Sequence, residues 1–186
     1  MFQEYEPLIE LQAKAMGLPL IIQETAGEKE AELHDLENAL VKAKRLYKID
    51  GIVSGALFST YQRDRIETIC DKLGLKIFSP LWHKSQEQHL QELVRSGFEA
   101  IIVKIAAAGF DESWLGKKID EKTIQDLIKL QKKMGLNIAG EGGEFESVVL
   151  SCPLFKKKIK IVRSHKVMES EHAGKLIIGQ AELVEL

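Results

Sequence analysis

The sequence predicts an α/β fold in two parts: a parallel sheet layered with helices over residues 1–95, and a smaller α+β part over residues 96–186. Three observations predict it. Strand-like apolar runs alternate with helix-period segments through the first hundred residues, the pattern of βαβ units. After residue 147 the strand-like runs follow one another with no helical segment between, the pattern of an antiparallel meander. A glycine (Gly17, Gly74, Gly97, Gly135) closes four of the helical segments, the expected stop signal.

The elements follow in order. Leu8, Leu11 and Ala15 share one helix face, and Pro19-Leu20-Ile21-Ile22 reads as a short strand. Leu33, Leu36, Leu40, Ala43 and Tyr47 make the apolar face of a long helix. Residues 51–57 (GIVSGAL) read as a strand with a glycine-bearing end. Ser59 then stands as an N-cap, with Gln62 three residues on as in a capping box. Ile66, Ile69, Cys70 and Leu73 continue that helix, and residues 76–79 (KIFS) form the next strand. Leu90, Leu93 and Val94 mark another helix, and residues 100–105 (AIIVKI) are the most strand-like run of the chain. A long loop, 107–118, precedes a helix through Ile124, Leu127, Ile128 and Met134. Strand-like runs at 158–161, 175–178 and 181–186 close the chain.

Composition excludes several functions. A formal charge of −2 and a pI near 6.2, with acids and bases mixed in most segments, give no footprint for nucleic-acid binding. Cys70 and Cys152 form no CxxC pair, which fits a reducing compartment and no zinc site. The five histidines show no HxH or HExxH spacing, so no metal centre is expected. No apolar run reaches the roughly 18 residues of a membrane span. The acidic opening MFQEYEPLIE lacks the apolar core of a signal peptide, so a cytoplasmic protein is expected.

In parallel sheets, ligands bind beyond the carboxyl ends of the strands. That directs attention to the loops after Ser54, Phe78 and Ile105. Three stretches carry chemistry. Residues 59–65 (STYQRDR) open a helix, where free N–H groups and the guanidinium groups of Arg63 and Arg65 suit an anion. The alternative is a capped surface helix whose arginines pair with Asp64 or Glu67. In residues 111–116 (DESWLG), the Trp114 indole between acids and a glycine can stack a base or cap a pocket, or else anchor the loop in the core. Residues 140–146 (GEGGEFE) place three carboxylates around a glycine pair. Such acids can meet an ammonium or amide, ligate magnesium, or serve as a general base; the alternative is a tight turn with solvated acids.

These stretches stand in order with three more: LIELQAKAMGLPL (8–20), GIVSGALFSTYQRDR (51–65), PLW (80–82), SGFEAIIVK (96–104), DESWLG and GEGGEFE. The set covers nearly the whole chain and resembles the diphthine–ammonia ligase family, ATP-dependent amidases of the PP-loop type. The resemblance implies an adenine-nucleotide hydrolase-like (Rossmann-like) domain and a smaller C-terminal domain. It implies ATP with Mg2+, adenylation of the diphthine carboxylate on elongation factor two, and displacement of AMP by ammonia. Carried over to this chain, the nucleotide side takes in Gly55, Tyr61, Gln62, Arg63 and Arg65. The acceptor side takes in Asp111, Glu112, Trp114, Gly116, Gly142, Gly143 and Glu146, with Glu141 and Glu144 as the catalytic acids. These acids would hold the quaternary ammonium of diphthine or position ammonia.

One departure matters. The family opens with a strand and an SGGKDS phosphate loop, and this sequence has neither; Met1-Phe2-Gln3 resembles an internal segment of the family. Three expectations follow: a start site assigned too far downstream, a second chain that supplies the piece, or a non-catalytic relative that retains substrate recognition. The last would be a binding module, with a homodimer covering the open edge of the sheet.

Overall fold

The computed structural model describes residues 6–25, 31–55 and 60–186. They divide into two compact units. The first is Leu20–Lys84. The second joins the described residues of Phe2–Pro19 to Ser85–Leu186, so helix α1 (Glu6–Met16) belongs to it.

The first unit holds α2 (Ala31–Tyr47), β1 (Gly51–Val53), α3 (Thr60–Leu73) and β2 (Lys76–Phe78). The two strands pair in parallel, from Gly51 opposite Lys76 to Val53 opposite Phe78, with α3 as the crossover. This is the expected βαβ unit. A Cβ at Gly51 would stand 2.6 Å from the Lys76 carbonyl oxygen, so glycine permits the strands to approach where they begin. Lys72 pairs with Glu37 at 2.6 Å, and Lys44 donates to the Leu73 carbonyl at the end of α3; both tie α2 to α3. Residues 19–25 adopt no regular structure, and Leu20 and Ile22 stay exposed. The strand expected at 19–22 is absent because strand propensity expresses packing against a paired neighbour, and among the described residues this run has no partner strand. The Ser59 cap falls outside the described residues.

The second unit is built on an antiparallel sheet of order β4-β3-β6-β5, formed by β3 (Glu99–Ala106), β4 (Phe145–Ser151), β5 (Lys158–Met168) and β6 (Ala173–Val184). Helices α4 (Gln86–Arg95) and α5 (Glu121–Met134) pack on each other. The run at 100–105 therefore continues no parallel sheet: β3 pairs antiparallel with both β4 and β6. Periodicity reports which faces are buried and carries no information about the partner strand. A bulge between Ile102 and Lys104 lets the adjacent Ile102 and Val103 both be buried, which strict alternation forbids. The closing runs also differ from expectation. Those at 175–178 and 181–186 fall largely within one strand, β6, and β5 extends to Met168 through exposed residues held by backbone pairing.

The core joins Ile102, Val103 and Ile105 of β3 to Ile124 and Leu127 of α5 and to Phe110, Leu115, Ile138 and Ile159. Burying each such side chain is worth about 1.5–3 kcal/mol. α5 is fixed at both ends: Asp120 accepts from the Thr123 N–H at 2.8 Å, and Gly135 closes the helix in the left-handed region. α1 is tied to the sheet side of its unit by Gln12, which donates to the Val149 carbonyl at 2.9 Å, and by its Ala15 carbonyl, which accepts from the Lys156 N–H at 2.7 Å.

Two outcomes follow. Leu127→Ala removes a fully buried side chain and should cost about 2–5 kcal/mol in urea unfolding of the second unit. The Thr123 backbone bond holds the Asp120 carboxyl below the usual carboxylate range. A lowered folded pKa stabilises at neutral pH, and the contribution is lost as pH falls below the ordinary carboxylate range. Asp120→Ala should therefore cost about 1 kcal/mol at pH 7 and progressively less as pH falls below the ordinary carboxylate range, read from chemical unfolding across that range.

Candidate functional site

Three loops meet at the carboxyl end of β3. The Ala106 N–H donates to the Glu144 carbonyl at 2.8 Å, and Ala106 stands opposite Ala173, the first residue of β6. His172 Nδ1 lies 2.9 Å from the Phe110 carbonyl oxygen, and Lys166 donates to the Glu112 carbonyl at 2.9 Å. These bonds gather residues 107–116, 140–144 and 169–172 at one end of the antiparallel sheet.

The GEGGEFE stretch forms the middle loop, and its acids are not equivalent. The Glu144 carboxylate folds back on the backbone: one oxygen accepts from the Asn137 N–H at 3.0 Å and the other from the Gly142 N–H at 2.9 Å. A Cβ at Gly142 would lie 2.5 Å from that carboxylate, so only glycine leaves room for it. The Asn137 side-chain oxygen accepts from the Ala139 N–H at 3.0 Å and lies 3.4 Å from the Glu141 nitrogen. Gly140 and Gly143 both take positive φ, and the Gly143 N–H donates to the Gly140 carbonyl. Glu146 has left the loop for β4, where it pairs with Lys104 at 2.9 Å. Glu141 is exposed, and among the described residues its carboxylate makes no ion pair. The stretch thus holds one clasp acid, one sheet acid and one acid open to a ligand.

The DESWLG stretch is an anchored turn. Asp111 caps a short 3-10 helix (Glu112–Trp114) and accepts from both the backbone N–H and the hydroxyl of Ser113. The Ser113 hydroxyl, then its N–H, holds the Asp111 carboxyl below the usual range. Trp114 is 7% exposed, meets Phe110 edge to face at 4.9 Å, and carries the Lys117 ammonium 4.2 Å from its ring centroid. Its ring belongs to the core, not to a stacking platform. Gly116 donates to the Ile102 carbonyl at 2.8 Å, which pins the end of the turn to β3. Glu112 is exposed.

The nucleotide-side residues lie in the first unit. Gly55 follows β1 and is exposed, and among the described residues a Cβ there would meet nothing within 4 Å. Tyr61 and Gln62 lie in the first turn of α3. Arg63 lies 3.3 Å from Asp64 and stacks on Trp82, its guanidinium carbon 4.5 Å from the ring centroid. Its Nε is 3.2 Å from Glu67 but not aligned for a hydrogen bond, so that nitrogen is buried without a hydrogen-bond partner. Arg65 is half-buried on the same helix.

Sequence reasoning missed several residues at the loop-bearing end of the sheet. Lys104 and Lys175 stand opposite each other on β3 and β6, with Glu146 beside the first and Glu169 3.6 Å from the second. Only the strand register brings them together, so no spacing in the sequence marks them. Asn137 was findable: an Asx turn just before paired glycines is a recognisable loop signal. His172 gave no signal at all.

Two family models match the chain: the diphthamide synthase N-terminal domain over residues 4–77 and its C-terminal domain over residues 85–184. The diphthine–ammonia ligases of Bos taurus and Homo sapiens are each 40% identical over 177 residues, covering 89% of this chain and 66% of their own. That of Schizosaccharomyces pombe is 39% identical over 176 residues, covering 88% of this chain and 29% of its own. The chain thus spans just under two thirds of the length of the mammalian relatives it matches.

The clasp has a direct test. Glu144→Ala hands two N–H groups, one exposed and one half-buried, to water and should cost about 0.5–1.5 kcal/mol locally. Hydrogen exchange should report it as lost protection at the Asn137 and Gly142 amides. Glu144→Gln keeps one acceptor oxygen and should lose less. Gly142→Ala should mimic Glu144→Ala, because its methyl group displaces the carboxylate.

Proposed function

Because the chain belongs to the diphthamide synthase family, we propose that it takes part in ATP-dependent amidation of diphthine on elongation factor two, in the cytoplasm. In that reaction the diphthine carboxylate displaces pyrophosphate from ATP to give an acyl adenylate. Ammonia then attacks the acyl carbon, AMP leaves, and the nitrogen sheds a proton as the amide forms.

The observation that carries the reading is the division of labour in the GEGGEFE loop. A loop whose one acid is spent holding its own backbone, and whose other acid is held out unpaired, is shaped to present that second acid to something. Glu141 is the group we place against the cationic end of the acceptor or against ammonium, where a carboxylate can also take up the proton released. Glu144 acts as a positioning residue through the backbone. Glu146, held by Lys104, keeps the first turn of β4 in place. Asp111, Trp114 and Gly116 fix the neighbouring loop, and exposed Glu112 faces the acceptor.

For the nucleotide, phosphates call for N–H donors and fixed positive charge. The start of α3, with Gly55, Tyr61, Gln62, Arg63 and Arg65, is where we place the phosphates, and Arg63 would turn from Asp64 and Glu67 to meet them. Mg2+ would arrive with the phosphates and neutralise part of their charge.

The test is AMP release from ATP by this chain with ammonium and a diphthine-bearing elongation factor. AMP formed only with the factor supports ligation. Factor binding without AMP supports recognition alone. Glu141→Gln should lower the amidation rate at least tenfold, about 1.4 kcal/mol of transition-state stabilisation, with urea unfolding unchanged. Equal rates for the variant and the parent chain would remove Glu141 from the site.

A further inference from the structure

The longest acid-free stretch of the chain begins directly after the GEGGEFE motif and ends on the outermost strand of the antiparallel sheet. From Ser147 to Met168 the chain contains no Asp or Glu, although Lys and Arg total 26 against 28 acids overall. Within that stretch stand Lys156, Lys157, Lys158, Lys160, Arg163, His165 and Lys166. β5 ends the strand order and pairs only with β6, so among the described residues its outer edge bonds to no other strand.

The two halves of β5 differ. Its first half is neutralised: Lys158 meets Glu99, and Lys160 lies 3.6 Å from Glu182. Its second half, residues 162–167, is exposed throughout, including Val162 at 46% and Val167 at 37%. Among the described residues Arg163 and His165 have no acid partner there, and facing residues 174–181 of β6 contribute no carboxylate. An edge of N–H and C=O groups flanked by Val162 and Val167, with Arg163 and Lys166 and no carboxylate among residues 162–167, is a template for a further strand that brings opposite charge.

We propose that the outer edge of β5 over residues 162–167 is a docking site for an extended, acidic segment of a partner protein, which adds to the sheet as a fifth strand. Backbone bonds supply the pairing, and Arg163, with His165 beside it, selects carboxylates on the incoming strand. One or two lysines suffice to guard an edge against self-association; an acid-free stretch of this length goes further and specifies charge. The inference does not depend on the amidation reading, since neither Glu141 nor the α3 arginines take part.

The experiment uses the full chain and a short fluorescent peptide of alternating glutamate and valine, followed by anisotropy at low and physiological salt. Saturable binding that weakens with salt, together with new hydrogen-exchange protection at alternate amides of residues 162–167, is the expected result. Arg163→Glu with His165→Glu should weaken binding about tenfold or more and leave AMP formation unchanged. No binding at low salt overturns the proposal, as does binding without protection on β5. Tighter binding of a single-stranded oligonucleotide than of the peptide also overturns it, in favour of a phosphate-backbone surface. Should the double variant fail to fold, the exchange footprint on the parent chain decides alone.

Discussion

Strand β3 must satisfy two edges, and how it does so sets the rest of the second unit. Along one edge it pairs with β4 from Glu99 to Ile105. The other edge is divided. Lys104 to Ala106 pair with β6, while Ala100 and Ile102 bond to residues 116–119, through Gly116, Lys117 and Ile119. A buried strand cannot leave half an edge unbonded, so the chain after the DESWLG turn must return to β3. That return fixes where the turn sits and buries Trp114 beneath it.

The same division explains why the candidate site lies where it does. β6 begins at the carboxyl end of β3, so the β5–β6 turn and His172 arrive beside the Phe110 loop. β4 begins there too, so the glycine-rich loop that precedes it closes on Ala106. Loops of three different sequence origins share one end of a sheet because all four of its strands start or stop there. Function built on loops gains its geometry from such a scaffold.

Within the middle loop, carboxylate chemistry is divided by backbone demand. The turn exposes N–H groups at Asn137 and Gly142, and the Glu144 carboxylate meets both. The loop is thereby ordered from within, and Glu141 can stand in solvent without the loop losing its shape. The outward acid, not the number of acids, is the feature that ligand chemistry can use.

Much of this was legible in the sequence. Helical periodicity and glycine stops gave the helices, since 3.6-residue spacing and left-handed backbone at glycine are local properties. Gly17, Gly74, Gly97 and Gly135 all take positive φ. The βαβ unit through α3 was legible for the same reason, and six motifs in order gave the family. The tertiary structure alone decided partners. It made β3 the centre of an antiparallel sheet, left residues 19–22 without a strand, and fused the last two runs into β6. It paired Arg63 with Asp64 and Trp82, sent the Trp114 ring into the core, and turned Glu144 into a clasp. Sequence pattern encodes which face of an element avoids water; which other element meets that face, and which acid meets which N–H, is settled only when distant segments pack.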